Sequence, residues 1–162
     1  MKTSTFLGLG SNQGDRRKNI LSAIDLIGAS IGEVISQSPV YETEPWRLES
    51  SDEFLNIVIK VLTELKPIDL LKKTREIEER LGRTRNEMRY SSRTIDIDIL
   101  LYNSKILNKK ILKVPHPMIS ERRFVLVPLC DIEPGGIHPV LNKTFSELLE
   151  ECNDQKKVRK WK

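Results

Sequence analysis

Polar and apolar residues alternate with a period of two through Arg93-Thr94-Ile95-Asp96-Ile97-Asp98-Ile99. The alternation predicts a β-strand over Thr94 to Tyr102 with one apolar face. Shorter apolar runs predict further strands at Thr5 to Leu9, Val34 to Tyr41 and Phe54 to Leu62. Two stretches carry helical spacing instead. Ile20, Ala23, Ile24 and Ile27 mark one buried face and predict a helix from about Arg16 to Ile31, with Asp15 as N-cap and Gly32 at its end. Leu70, Ile77 and Leu81 predict a second helix over Ile68 to Leu81, with Pro67 in its first turn and Gly82 closing it. The order β-α-β-β-α-β implies an α+β fold with a ferredoxin-like core, two helices lying on one face of an antiparallel sheet.

The remaining pattern is weaker. Glu42 to Asp52 and Arg83 to Ser92 are polar and aperiodic, and read as long loops of the kind that carry function. Ile106 to Val114 suggests a small hairpin around Asn108-Lys109-Lys110. Pro115-His116-Pro117 is rigid and extended. Phe124 to Leu129 is a short apolar segment, Asp131 to Leu141 a loop, and Phe145 to Glu151 a short helix with Thr144 as N-cap. The basic run from Lys156 to Lys162 reads as a solvated tail or a frayed helix end. With 162 residues, no internal repeat and no linker, residues 1–162 read as one domain.

Composition narrows the class. Hydrophobic content of 38% and charged content of 31% are those of an ordinary globular protein. No apolar run approaches the roughly 20 residues that span a membrane, and no signal peptide is evident before the first strand. Cys130 and Cys152 have neither metal-ligand nor redox spacing, so they read as reduced thiols in a cytoplasmic protein. A net charge of +4 permits an anionic partner.

Asp96 and Asp98 point the same way from the strand, with Cα atoms roughly 7 Å apart. On an arbitrary strand such a pair is more often two solvated surface acids. Here the neighbouring residues are apolar, and paired carboxylates resist desolvation unless a cation lies between them. Carboxylate-only ligation suits Mg2+, which keeps waters and prefers phosphate oxygens. Arg75, Arg80, Arg83, Arg85, Arg89 and Arg93 crowd the approach to the strand, and the guanidinium fork matches phosphate. Together they describe a site for a nucleoside triphosphate. The glycine-rich turn Gly10 to Asp15 matches neither a P-loop nor a dinucleotide fingerprint.

These residues resemble the 6-hydroxymethyl-7,8-dihydropterin pyrophosphokinase family of folate biosynthesis. The resemblance rests on Gly8-Leu9-Gly10-Ser11-Asn12, Tyr41-Glu42-Thr43-Glu44-Pro45, Phe54-Leu55-Asn56, Gly82-Arg83-Thr84-Arg85, Arg93 to Leu100, and Pro115-His116-Pro117 through Arg122-Arg123-Phe124-Val125-Leu126. Each piece alone is weak; their order and spacing together are specific, and they cover nearly the whole chain. The resemblance implies transfer of pyrophosphate from ATP to the hydroxymethyl group of the pterin, releasing AMP. It implies that Asp96 and Asp98 bridge two Mg2+ ions, either aspartate being able to take the hydroxyl proton, with Asp98 preferred. Arg83 and Arg93 would neutralise charge on the transferring group and the leaving AMP. Arg85, His116 and Arg122 would complete the nucleotide pocket, to which Glu78 and Ile99 also belong by the same match. Phe54 and Phe124 would stack on the pterin, Asn56 would read its amide edge, and Thr43 with the backbone near Pro45 would close that pocket. Without the resemblance, each phenylalanine would read as core, His116 as structural and Arg122 as solvated charge. Asn56 stands apart, because an amide in a buried strand requires hydrogen-bond partners. Tyr90-Ser91-Ser92 stands where many members carry a tryptophan followed by Gly-Pro.

Two other classes fit part of the pattern. A basic ferredoxin-like domain could bind RNA, but the Gly- and aromatic-rich strand of RNA-recognition domains is absent, and an acidic pair would repel phosphate without metal. A metal-dependent nuclease would share the aspartates but has no use for a pterin pocket. The expected partners are therefore two small molecules, ATP and the pterin, with no nucleic acid and no membrane, acting on a monomer.

Overall fold

The structure is a computed structural model and describes residues 1–44, 53–82 and 94–161. The main sheet is built from β1 (Thr3–Ser11), β2 (Gly32–Gln37), β3 (Tyr41–Thr43), β4 (Phe54–Thr63), β5 (Asp96–Tyr102) and β8 (Val158–Lys160), all paired antiparallel. The strands run in the order β5-β1-β4-β3-β8, and β2 pairs with the far end of β4. A two-stranded hairpin, β6 (Leu107–Asn108) and β7 (Lys113–Val114), lies outside this sheet.

Two helices cover one face. In α1 (Arg16–Ser30) the buried residues are Ile20, Ala23, Ile24 and Ile27, and Asp15 caps the start by accepting from the Lys18 amide at 3.1 Å. In α2 (Pro67–Arg80) proline occupies the first turn, Asp69 and Arg80 sit at the ends that suit the helix dipole, and Gly82 follows at φ +103°. Their core partners are the odd-numbered strand residues Leu7, Leu9, Leu55, Ile57, Ile59, Ile97 and Ile99. Even-numbered residues of the same strands therefore face away from these helices.

Among the described residues, the second face is covered at one end. Helices α3 (Arg123–Ile132) and α4 (Phe145–Glu151) pack there with Phe6, Val58, Leu100 and Leu101. Tyr41 ties α3 to the sheet by donating its hydroxyl proton to Asp131, and burial raises its pKa above the ordinary tyrosine value. The other end of the face lies near Asp96.

Three expectations need correction. The strand anticipated over Val34 to Tyr41 is two strands, because Pro39 has no N–H to donate and Ser38 breaks the ladder. Ser38 still binds β4, donating its amide to the Val58 carbonyl at 2.9 Å and accepting the Val58 amide on Oγ at 3.0 Å. The segment from Phe124 to Leu129 belongs to helix α3, which runs on through Asp131, the start of the anticipated loop, to Ile132. The C-terminal run is not a solvated tail: Val158–Lys160 forms β8 against β3, and Trp161 packs on the helix-side core. Gly32 ends α1 as anticipated, and a Cβ there would lie 2.0 Å from the Leu62 carbonyl oxygen, so the close passage of β2 over β4 requires glycine. Among the described residues no helix is long and apolar enough to cross a membrane.

Candidate active site

The register across the sheet assembles the site. Asp96 pairs with Gly10, Gly10 with Asn56, and Asn56 with Tyr41; one row further on, Asp98 pairs with Gly8 and Gly8 with Val58. Two strand spacings, about 10 Å, separate Asp96 from Asn56. Between them the strand offers only glycine, a backbone floor on which the Asn56 amide and the Phe54 ring close at Gly10 and the Leu100 side chain at Gly8. A Cβ at Gly10 would come within 2.6 Å of the Asn56 side-chain oxygen and 3.4 Å of the Phe54 ring. Gly8 and Gly10 thus join the candidate site; the sequence marks them as two glycines inside a strand and as part of the Gly8-Leu9-Gly10-Ser11-Asn12 match, without a role.

Asn56 lies at one end of the floor, and its side-chain nitrogen donates to Thr43 Oγ1 at 2.5 Å. That bond orients the amide and leaves its oxygen beside Gly10. Phe54 is half-buried, so part of its ring is open at the same end. Phe124, in the first turn of α3, is also half-buried and lies 5.7 Å beneath the Arg122 guanidinium.

Asp96 and Asp98 are half-buried at the other end, alternating with buried Ile97 and Ile99. Arg122 Nη1 is 4.0 Å from Asp98 Oδ2. His116 reaches this end through its backbone, donating its amide to the Leu100 carbonyl at 2.8 Å. Its Nδ1 accepts from the Met118 amide at 3.1 Å, so the neutral ring carries its proton on Nε2. Burial, reinforced by Arg122 and opposed by Asp96, pulls the His116 pKa down to about 4. The imidazole is therefore a neutral hydrogen-bond donor at pH 7.

Glu78 is buried on α2 and accepts the Ile97 amide on Oε2 at 2.8 Å. It satisfies β5 at the sheet edge, between the two aspartates. The side chain of Ile99 is buried among the helix-side residues, so only its main chain is available to a ligand. Pro45, Arg83, Arg85 and Arg93 lie outside the described residues.

Two carboxylates share one face, and among the described residues no group of three or more His, Cys, Asp or Glu could hold an ion by itself. Such a pair fits Mg2+, which completes its shell with water and phosphate. It does not fit a metal that needs a full protein cage.

Known proteins resemble the chain closely. Residues 6–134 match the family model described as 7,8-dihydro-6-hydroxymethylpterin-pyrophosphokinase. The 2-amino-4-hydroxy-6-hydroxymethyldihydropteridine pyrophosphokinase of Aquifex aeolicus is 43% identical over 148 residues, 91% of each chain. The protein of the same name from Bacillus subtilis is 38% identical over 163 residues, spanning 100% of this chain and 92% of its own. Among solved structures, the wild-type Plasmodium falciparum HPPK-DHPS with pteroate superposes with a TM-score of 0.78 at 18% identity. That match covers 93% of this chain and 44% of the Plasmodium chain, and shows the fold.

Proposed function

The chain belongs to the 7,8-dihydro-6-hydroxymethylpterin-pyrophosphokinase family, and from that premise we propose which of its residues carry the reaction. The activity is transfer of pyrophosphate from ATP to the hydroxymethyl group of 6-hydroxymethyl-7,8-dihydropterin, with release of AMP, in folate synthesis. ATP is the co-substrate. The pterin hydroxyl attacks the β-phosphorus, the bond from that phosphorus to the α-side bridging oxygen breaks, and AMP leaves with the electron pair. The observation that supports the assignment is the pair of rows Asp96–Gly10–Asn56 and Asp98–Gly8–Val58, with two carboxylates on one side of the glycines and a buried amide on the other.

The pterin sets its amide edge on Asn56 and Thr43 and its faces against Phe54 and Phe124. Hydrogen bonding at one edge and ring contact on both faces fix the hydroxymethyl group near Asp96 and Asp98, and positioning of this kind supplies a large part of the rate. Asp96 and Asp98 would hold Mg2+, two ions in our proposal, whose charge when bound would neutralise the phosphate oxygens. Asp98 accepts the hydroxyl proton as the bond to phosphorus forms. His116 donates Nε2–H to the nucleotide, and Arg122 adds positive charge beside Asp98. Arg83, Arg85 and Arg93 are assigned to the phosphates, and Pro45 to the pterin side, on their match to the family pattern. Glu78 serves the nucleotide side through β5, and Ile99 through its main chain. We place the enzyme in the cytoplasm on its two unpaired cysteines, read residues 1–162 as one domain on their length, and expect a monomer.

The two ends of the floor are separable by experiment. Asn56→Ala should raise the pterin KM by about tenfold or more while the KM for ATP stays within twofold, since a buried, oriented amide contributes about 1–3 kcal/mol. Asp98→Asn should do the reverse, lowering kcat with little change in pterin affinity. Equal effects of both substitutions on both substrates would refute the assignment.

A further inference from the structure

On the helix side of β3, directly behind the pterin end of the floor, two arginines and two glutamates form a closed ion network. Arg16 Nη2 donates to Glu42 Oε2 at 2.9 Å, and its Nη1 donates to the Glu53 carbonyl oxygen at 3.0 Å. Arg159 Nη2 reaches both Glu53 carboxylate oxygens, at 3.1 and 3.0 Å, and Glu42 Oε1 at 3.4 Å. Arg16, with Arg159 adding to it, holds the Glu42 carboxyl below the usual carboxylate range. Glu42 and Glu53 are the chain neighbours of Thr43 and Phe54, which pair with each other across β3 and β4. Both glutamates thus sit one residue from a proposed pterin contact, with side chains on the opposite face of the sheet.

The backbone points the same way. Without β8, the three residues of β3 would be an edge strand held from one side only, and strands that short are marginal. With β8, Tyr41, Glu42 and Thr43 pair with Lys160, Arg159 and Val158. Trp161 donates its amide to the Val40 carbonyl at 2.9 Å and packs on the core, anchoring β8 at its end. We propose that Arg159 on this C-terminal strand, with Arg16, is a positioning residue for the pterin pocket: it locks Glu42 and Glu53 together and so fixes Thr43 and Phe54 on the other face. The inference rests on the assignment of Thr43, Phe54 and Asn56 to the pterin. It assigns a role in substrate affinity to a residue that never touches substrate.

Salt distinguishes this role from simple stabilisation. The pterin is uncharged, so its affinity has no direct reason to depend on ionic strength, whereas Arg159 is 57% exposed and its ion pairs are screened. Pterin affinity is measured by titration in the presence of Mg2+ and a non-hydrolysable ATP analogue, at low and high sodium chloride. The wild type should bind pterin more weakly at high salt. Arg159→Ala should bind about fivefold more weakly at low salt, with that salt dependence reduced. Affinity for the analogue should stay within twofold. Glu53→Gln should reproduce the loss, and the double variant should lose no more than either single one. Unchanged pterin affinity in Arg159→Ala, additive losses, or a parallel fall in nucleotide affinity would overturn the inference while leaving the pterin site intact. If the wild type binds no pterin, the site and the inference fall together.

Discussion

The side chains proposed for the chemistry are held by groups to which no chemical step is assigned. Asp96 and Asp98 project from a strand whose intervening amide, that of Ile97, is satisfied by Glu78. Asp96→Asn keeps shape and loses charge, so kcat should fall by about a thousandfold or more while the thermal midpoint is retained; a variant within tenfold of wild type would remove Asp96 from the site. Gly10→Ala places a methyl 2.6 Å from the Asn56 oxygen, and should raise the pterin KM without altering ATP binding. Both histidines are read with similar clarity. Nδ1 of His138 accepts the Val140 and Leu141 amides at 3.2 and 3.1 Å, as Nδ1 of His116 accepts Met118, and burial lowers both pKa values. Nitrogen NMR at pH 7 should show both as Nε2–H tautomers. An unfolded imidazole titrates near 6.5. Because the folded values lie lower, the unfolded chain takes up more protons as pH falls below about 6.5. This contribution to stability is therefore complete above that pH and is lost on descending towards about 4. The metal-free protein should show a urea midpoint that falls over this window, and His116→Asn should flatten the fall; equal slopes would contradict the burial argument.

At the scale of elements, legibility followed periodicity. Helix α1 and its four buried residues, helix α2, and strands β1, β4 and β5 were all readable, because each has a long stripe facing one core. Helix α4 was readable from its cap alone: Thr144 and Glu147 form a reciprocal capping box, with the Glu147 amide donating to Thr144 Oγ1 at 3.1 Å and the Thr144 amide to Glu147 Oε1 at 3.1 Å. Thr144→Ala should cost about 1 kcal/mol in chemical denaturation. The elements that were not readable take their structure from distant partners. Helix α3 hides because Pro128 lies inside it and it is apolar on more than one side, packed on the sheet and against α4. Strand β8 hides because a run of lysines and arginines has no apolar stripe; its order comes from pairing with β3 and from Trp161. The same holds for the site. Asp96, Asp98 and Asn56 announce themselves as polar groups in apolar strands. Gly8 and Gly10 belong to the matched Gly8-Leu9-Gly10-Ser11-Asn12 stretch, but their position between the aspartates and the amide is set by the register.

For the molecule as a whole, the sheet has two faces with different duties. One is filled by α1 and α2 and supplies the larger core. The other is covered by α3 and α4 at one end and carries the proposed substrate residues at the other. Antiparallel pairing makes this economical, because alternate residues of β1, β4 and β5 serve the core and the site in turn. The most direct test is the fate of the phosphorus atoms. The protein is incubated with ATP, Mg2+ and 6-hydroxymethyl-7,8-dihydropterin, and the products are followed by phosphorus NMR. The account predicts equal amounts of AMP and a pterin diphosphate ester, both signals disappearing in Asp96→Asn. Formation of ADP with a pterin monophosphate, or no consumption of ATP, would contradict it.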